Sequence, residues 1–301
     1  MRQGRGSMPG NFASVIKAYL ASPKFEALAE ETRYGYRNEL ADAEEFLGHF
    51  SVDVIKPSIV QGFLDGLSDF PGKQIKSRVA LKAVEKWAIV RDLLPYPITL
   101  GTEVVGSDGG HEPWTDTQVY TALQHARPDL ARGVALAANT GQRGSDIVRM
   151  RWTDIEEFEG RKGINVTQKK TGEKLLIPLT HKFAGELATW EKRPGFILLN
   201  PFGRPYSRSG LSTAWAKHRD KNPALQEHRA LGLSMHGLRA YAVVGMRREG
   251  WSTLEISSMV GMSEQMVNRY CRKANKNRLA MDAMNRKDNI KPFPSKALEN
   301  K

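Results

Sequence analysis

Cysteine is all but missing from this chain. Its 301 residues hold one, Cys271, so no internal disulfide can form and a reducing compartment is expected. The position directly after Tyr270 invites a redox role, but a small buried hydrophobe is the commoner use of such a residue. Acidic residues are also short: 33 Asp and Glu stand against 45 Lys and Arg, a formal net charge of +12. That excess points to a polyanionic partner, nucleic acid ahead of an acidic membrane surface. No apolar run approaches the roughly 20 residues of a membrane span. The opening MRQGRGSMPG lacks the apolar segment of a signal peptide. A cytoplasmic, nucleoid-associated protein is the resulting expectation. No H-E-x-x-H, paired-cysteine or G-x-x-x-x-G-K-[ST] pattern occurs, so neither metal nor ATP is expected as a cofactor. Internal repeats and long low-complexity tracts are missing too.

What is present suffices for two domains. Residues 1–10, rich in Gly and Arg, read as a disordered tail. An all-helical domain is predicted over 11–98. Phe12, Val15, Ile16 and Tyr19 recur at helical spacing, and Thr32 is placed to cap a helix carrying Tyr36, Leu40 and Phe46. Pro57 can open another, with Ile59, Val60, Phe63 and Leu64 inward. A fourth is predicted over about 74–94, turning Val79, Ala80, Ala83, Trp87 and Val90 inward. Lys73, Lys76, Arg78 and Lys82 lie on its other side, as backbone contacts to DNA or as a solvated face. Pro95, Pro97 and the glycines of 106–110 predict a flexible linker over 99–112.

A second domain, 113–301, is predicted to begin with a helix at Trp114-Thr115-Asp116. Small residues from Ala131 to Ala138 read as a packed helix. The stretch GINVTQKKTGEKLLIPL, residues 163–179, reads as a hairpin turning at Lys170-Thr171-Gly172-Glu173. Helices near 180–191, 209–218 and 252–260 are expected around it, with a further one holding His236.

The chemistry sits in Thr140-Gly141-Gln142-Arg143, His236-Gly237-Leu238-Arg239 and Tyr270. Arginine offers a planar fork of donors that matches phosphate oxygens and stays charged at any working pH. His236 and Arg239, at i and i+3 on a helix, project to one side and can join a proton-handling imidazole to a second guanidinium. A tyrosine hydroxyl can attack phosphorus and store the bond energy as a phosphotyrosine. A free phenol titrates near pH 10, so Tyr270 needs positive charge and a base nearby. Tyr241 is set aside, because Ala240, Val243 and Val244 mark its helix as buried. Asp146, three residues after Arg143, is expected on the same helical face, where it could hold the guanidinium fork.

These boxes resemble those of the tyrosine recombinases, the phage-integrase family. The first arginine box is similar to TGQRGSDIVRMRWTDI, residues 140–155. The second is H-x-x-R, His236 to Arg239, and the nucleophile box is similar to Val260-Gly261-Met262 followed by Arg269-Tyr270. Each box alone is weak; four in this order and spacing are specific. The resemblance runs from about Asn11 to the C-terminal helix.

The resemblance implies a mostly α fold with a small β-hairpin or sheet, arranged as a two-domain C-shaped clamp. An all-helical core-binding domain would join an α+β catalytic domain. It implies Tyr270 as nucleophile, Arg143, Arg239 and His236 around the phosphate, Asp146 as orienting residue and Lys170 of the turn as general acid. Lys169 is the alternative acid, since side chains alternate at a strand end. It implies double-stranded DNA as partner, a tetramer on DNA, and a basic C-terminal segment (Arg272, Lys273, Lys276, Arg278, then Leu279, Met281 and Met284) that docks on a neighbouring protomer. Accessory DNA-bending or directionality proteins are further expected partners. The short N-terminal tail leads to no expected arm-binding domain. One departure stands out. The family has His or Trp after the glycine of the nucleophile box, this chain has Met262, and a thioether cannot donate to phosphate. The two arginines can supply that charge stabilisation. Alternatives are a cleavage-deficient DNA-binding relative, and a type IB topoisomerase-like enzyme, which the spacing of the boxes disfavours.

Overall fold

Proline opens helices at Pro23, Pro57, Pro71 and Pro128, where its missing N–H is one the first turn cannot use and its fixed φ suits the helix. A computed structural model describes residues 10–106, 112–272, 276, 280 and 284. The tail over 1–9, most of the glycine-rich joint and the amphipathic segment beyond 272, with Leu279 and Met281, therefore lie outside the described residues. The chain divides into two units, Met1–Gly109 and Gly110–Lys301.

The first unit is helical: α1 (Phe12–Leu20), α2 (Pro23–Glu26), α3 (Glu30–Leu47), α4 (Pro57–Asp65) and α5 (Pro71–Ile89). Asn11 caps α1 by accepting from the Ser14 amide at 3.1 Å. Tyr19 meets Phe25 and Trp87 edge-on, with centroids 5.5 and 5.6 Å apart, inside an apolar core that draws on all five helices.

Two expectations fail here. Helix α3 carries Tyr36, Leu40 and Phe46 but starts two residues ahead of Thr32, and its N-cap position is Ala29. Val79 and Val90 are 51% and 74% exposed, because the inward stripe of α5 runs instead through Gln74, Ser77, Ala80, Leu81, Val84, Trp87 and Ala88. Polar residues sit in that stripe because each has a partner. Ser77 donates to Glu39, and Gln74 donates to the Leu64 carbonyl at 2.9 Å while accepting from the Val105 amide at 2.6 Å. Gln74 thereby fastens the start of the expected linker. Glu85 accepts from the Thr99 amide, Gln61 from the Glu103 amide, and Arg78 donates to the Thr102 hydroxyl. Residues 99–105 are thus laid along the first unit by side chains of α4 and α5.

The second unit begins with α6 (Asp116–His125), α7 (Pro128–Thr140) and the single turn α8 (Gly144–Ile147). Thr115 caps α6 in a reciprocal capping box with Gln118. Strands β1 (Ile155–Phe158), β2 (Arg161–Thr167) and β3 (Lys174–Pro178) form an antiparallel sheet in that order, one strand more than the hairpin expected. The register pairs Ile164 with Ile177 and Val166 with Leu175, which keeps the apolar set on one face. Helices α9 (His181–Thr189), α10 (Arg208–Lys221), α11 (Gln226–Ala230), α12 (Gly237–Arg248) and α13 (Thr253–Val260) follow, then helical residues 264–272. The main core gathers α6, α7, the sheet and α10. A smaller cluster of Val243, Met246, Ile256, Val260, Met262, Val267 and Cys271 underlies the last helices. No helix among the described residues is long and apolar enough to cross a membrane.

Candidate active site

Helix α7 ends at Gly141, whose left-handed backbone (φ 63°) turns the chain sharply. A Cβ there would lie 2.7 Å from Val260 Cγ1, so the turn also needs glycine for close approach to the end of α13. The chain leaves this turn extended at Arg143 (φ −69°, ψ 152°) before α8 begins. That geometry corrects the expected pairing. Arg143 precedes the helix, so the i, i+3 relation with Asp146 does not apply. Arg143 Nη1 donates instead to Gln168 Oε1 at 2.8 Å, and Asp146 Oδ1 accepts from the Lys169 amide at 2.8 Å. Asp146 is buried, with Oδ2 lacking a hydrogen-bond partner. It holds the turn between β2 and β3, and Gln168 holds the arginine.

That turn closes between Gln168 and Glu173 (Gln168 N to Glu173 O, 2.8 Å; Gly172 N to Gln168 O, 2.8 Å), leaving Lys169 and Lys170 exposed at its tip. The structure brings both lysines to this edge of the site.

His236 occupies the N-cap of α12 and Arg239 lies in its first turn. The segment ahead of His236 is pinned from three sides. Trp215 Nε1 and Arg219 Nη1 donate to the Leu233 carbonyl at 2.8 and 3.0 Å, and Trp114 Nε1 donates to that of Ser234 at 3.1 Å. Arg239 is 2% exposed, among the largest fully buried side chains. Its Nη1 donates to the Gly141 carbonyl at 2.5 Å and its Nη2 to the Val260 carbonyl at 3.2 Å. Burial pushes its pKa down to about 10, helped by the neighbouring Arg143 charge, while Tyr270, Asp146 and Glu173 pull the other way. Arg143, Asp146 and Tyr270 therefore all lie close enough to act on the Arg239 charge.

The carbonyl of Val260 is the meeting point. It stands at the C-terminus of α13, where the last carbonyls have no partner within the helix. Gln168 Nε2, Arg239 Nη2 and Gln142 Nε2 reach it at 2.9, 3.2 and 3.3 Å. Gly261 caps the helix in the left-handed region (φ 58°), and a Cβ there would sit 2.5 Å from Gln168 Nε2. Tyr270 follows on helical residues 264–272, half-buried over the small apolar cluster. Its neighbour Cys271 is fully buried, with its thiol pushed up by burial and its Sγ 3.7 Å from the Val243 carbonyl. Met262 is 9% exposed and belongs to the same cluster. Tyr241, on α12, has its pKa pushed up to about 12 by burial and by a hydrogen bond to Asp116.

The lysines of α5 divide. Lys73 pairs with Asp42 at 2.8 Å and Arg78 is engaged by Thr102, while Lys76 and Lys82 are exposed. Sequence reasoning missed Gln142 and Gln168, which no spacing rule marks as buried amides. It also missed a basic concavity of about 650 Å³ on α10, lined by Arg127, Ser209, Lys217 and Lys221 among others.

A helical unit and a mixed unit with a three-stranded antiparallel sheet, in which Arg239 and the Gln168 that holds Arg143 meet at one helix end, have the tyrosine-recombinase class of fold. The fold matches a lambda integrase(75-356) dimer bound to a COC' core site, with a TM-score of 0.73 at 20% identity, covering 86% of this chain and 95% of that one. The Tn1549 transposon integrase (aa 82-397) in complex with circular intermediate DNA follows, with a TM-score of 0.69 at 14% identity over 87% and 95%. The integrase of Escherichia phage HK022 is 42% identical over 65 residues, and that of Enterobacteria phage P21 is 38% identical over 64 residues. Those alignments span 17% and 16% of the two phage proteins. Residues 117–277 match the model of the phage integrase family. The chain belongs to that family.

Proposed function

We propose that this chain is a site-specific DNA recombinase that breaks and rejoins duplex DNA through a 3′-phosphotyrosine at Tyr270. The observation that carries the reading is the convergence on the Val260 carbonyl: a buried Arg239, and an Arg143 fixed through Gln168, face the segment that leads to Tyr270. Two guanidiniums at one point suit a phosphoryl group whose charge grows during in-line attack.

In the proposed reaction Tyr270 Oη gives up its proton, for which His236 is the candidate base, and bonds to phosphorus. The bond from phosphorus to the 5′ oxygen breaks, and that oxygen takes a proton from Lys170 at the turn tip. Lys169 is the second candidate acid. Attack by a partner strand's 5′ hydroxyl reverses the step on a new strand and passes through a four-way junction. The phosphotyrosine conserves the bond energy, so rejoining needs no nucleotide. Four copies on two duplexes meet that stoichiometry, and the solved relatives include a lambda integrase tetramer bound to a Holliday junction. Exposed Lys76 and Lys82, with Lys217 and Lys221 of the α10 concavity, would contact DNA backbone. DNA-bending or directionality proteins would assist. The place of action would be the nucleoid.

Covalent capture tests this. Protein mixed with fragmented DNA of its host and mobile element is denatured with detergent, and the protein-linked DNA is sequenced, with Tyr270→Phe alongside. Adducts at a recurrent site that disappear in Tyr270→Phe are expected. Equal recovery from both proteins would overturn Tyr270 as the nucleophile, and none despite tight binding would leave a cleavage-deficient DNA-binding relative, the outcome to which Met262 would then point.

A further inference from the structure

Gln168 is 1% exposed, and its carboxamide is fully used. Oε1 accepts from Arg143 Nη1 at 2.8 Å and from the Thr171 hydroxyl at 2.9 Å. Nε2 donates to Gln142 Oε1 and to the Val260 carbonyl, both at 2.9 Å. Two acceptor sites and two donors are all that an amide group offers. The orientation is unambiguous, because arginine can only donate and a backbone carbonyl can only accept. Through these four bonds one side chain touches the first arginine box, the turn that carries Lys170 and the helix end that precedes Tyr270.

We propose that Gln168 is a positioning residue for strand cleavage, aligning the Arg143 fork on the scissile phosphate and tying it to the lysine turn and the nucleophile segment. The inference rests on the recombinase reading above. Arg143 has four further N–H donors for phosphate once Nη1 is engaged. A neutral partner fixes the fork without spending its charge, which a carboxylate would neutralise. Asp146 serves the turn instead of the arginine, so the acceptor on Arg143 is an amide where a carboxylate was expected. A glutamate at 168 would keep the bonds to Arg143 and Thr171 but set its second oxygen against the Val260 and Gln142 oxygens.

The test uses the full chain and the duplex most enriched by covalent capture, made with either a phosphate or a neutral methylphosphonate at the scissile position. Gln168→Met and Gln168→Glu are compared with the unaltered protein for duplex affinity, thermal midpoint and single-turnover adduct formation. On phosphate, Gln168→Met is expected to slow adduct formation by about 100-fold, in the range for losing one preorganised donor. Affinity should change by less than about threefold, since one contact among many is affected. On methylphosphonate, which is neutral before attack and gains a single charge during it, less is left for Arg143 to stabilise, and the defect should shrink to less than about tenfold. Gln168→Glu should be at least as slow as Gln168→Met on phosphate. Equal slowing on both substrates would mark a merely structural role and overturn the inference, as would variants as fast as the unaltered protein. No adduct from the unaltered protein would overturn the recombinase reading itself, and this inference with it.

Discussion

Arg239 shows how the role proposed for a residue can run against stability. Its guanidinium is 2% exposed, and its bonds go to the carbonyls of Gly141 and Val260, with no carboxylate among the described residues in an ion pair with it. Burial lowers its pKa to about 10. For a base depressed on folding, the cost of the buried charge stands in full below about pH 10. It is relieved as pH rises from about 10 toward the ordinary arginine value, where the folded state has released a proton that the unfolded state still holds. Arg239→Met removes that charge but leaves the Gly141 carbonyl without its donor; Val260 keeps those from Gln142 and Gln168. A desolvated, unpaired charge costs several kcal/mol, against about 1–3 kcal/mol for one orphaned acceptor. The variant is therefore expected to melt higher at neutral pH, by about 2–4 °C per kcal/mol gained, while losing its covalent adduct. A lower melting point in calorimetry would show that the two carbonyl bonds outweigh the charge.

At the scale of elements, the site is a junction of helix ends. Helix α7 stops at Gly141, α12 starts at His236 and α13 stops at Gly261. Helix ends leave carbonyls unpartnered, and here side chains from other elements take them up. Gly261 is where backbone and packing demands coincide. An alanine there would have to hold φ near 58° and place Cβ 2.5 Å from Gln168 Nε2 and 2.6 Å from Leu175 Cδ1. The left-handed conformation costs a residue other than glycine about 1–2 kcal/mol, and overpacking adds about 1–3 kcal/mol. Gly261→Ala is thus expected to destabilise the second unit by about 2–5 kcal/mol and to slow cleavage beyond that loss, because the atom it displaces fixes Gln168. Denaturant unfolding beside single-turnover cleavage separates the two effects. A loss below about 1 kcal/mol would show that the junction yields.

At the scale of the whole molecule, a formal charge of +12 makes binding to a polyanion salt-dependent, each phosphate contact contributing about −0.9 to the slope of log K against log salt. The structure separates four of the basic residues of α5 that sequence treats alike: Lys73 is paired with Asp42, Arg78 is engaged with Thr102, and Lys76 and Lys82 are exposed. A Lys76→Gln/Lys82→Gln variant should flatten the slope on a labelled duplex by about 2, between about 50 and 200 mM salt, and Lys73→Gln should leave it nearly unchanged. Equal effects from all three would return α5 to an undifferentiated basic face.

The amino-acid sequence by itself determined the helical character of both units and the hairpin turn, and it nominated Arg143, His236, Arg239 and Tyr270 for the proposed chemistry. These are legible because hydrophobic period and turn chemistry are local, and because few side chains can bind or attack a phosphodiester. Only the tertiary structure decided what holds them. It gave Arg143 to Gln168, placed Asp146 under the lysine turn, and added β1 to the hairpin. It also turned Val79 outward while Gln74 went inward to hold the start of the linker. Each of these joins residues distant along the chain, or turns on a backbone angle that residue type does not specify. A buried glutamine with four partners looks no different in sequence from one in water.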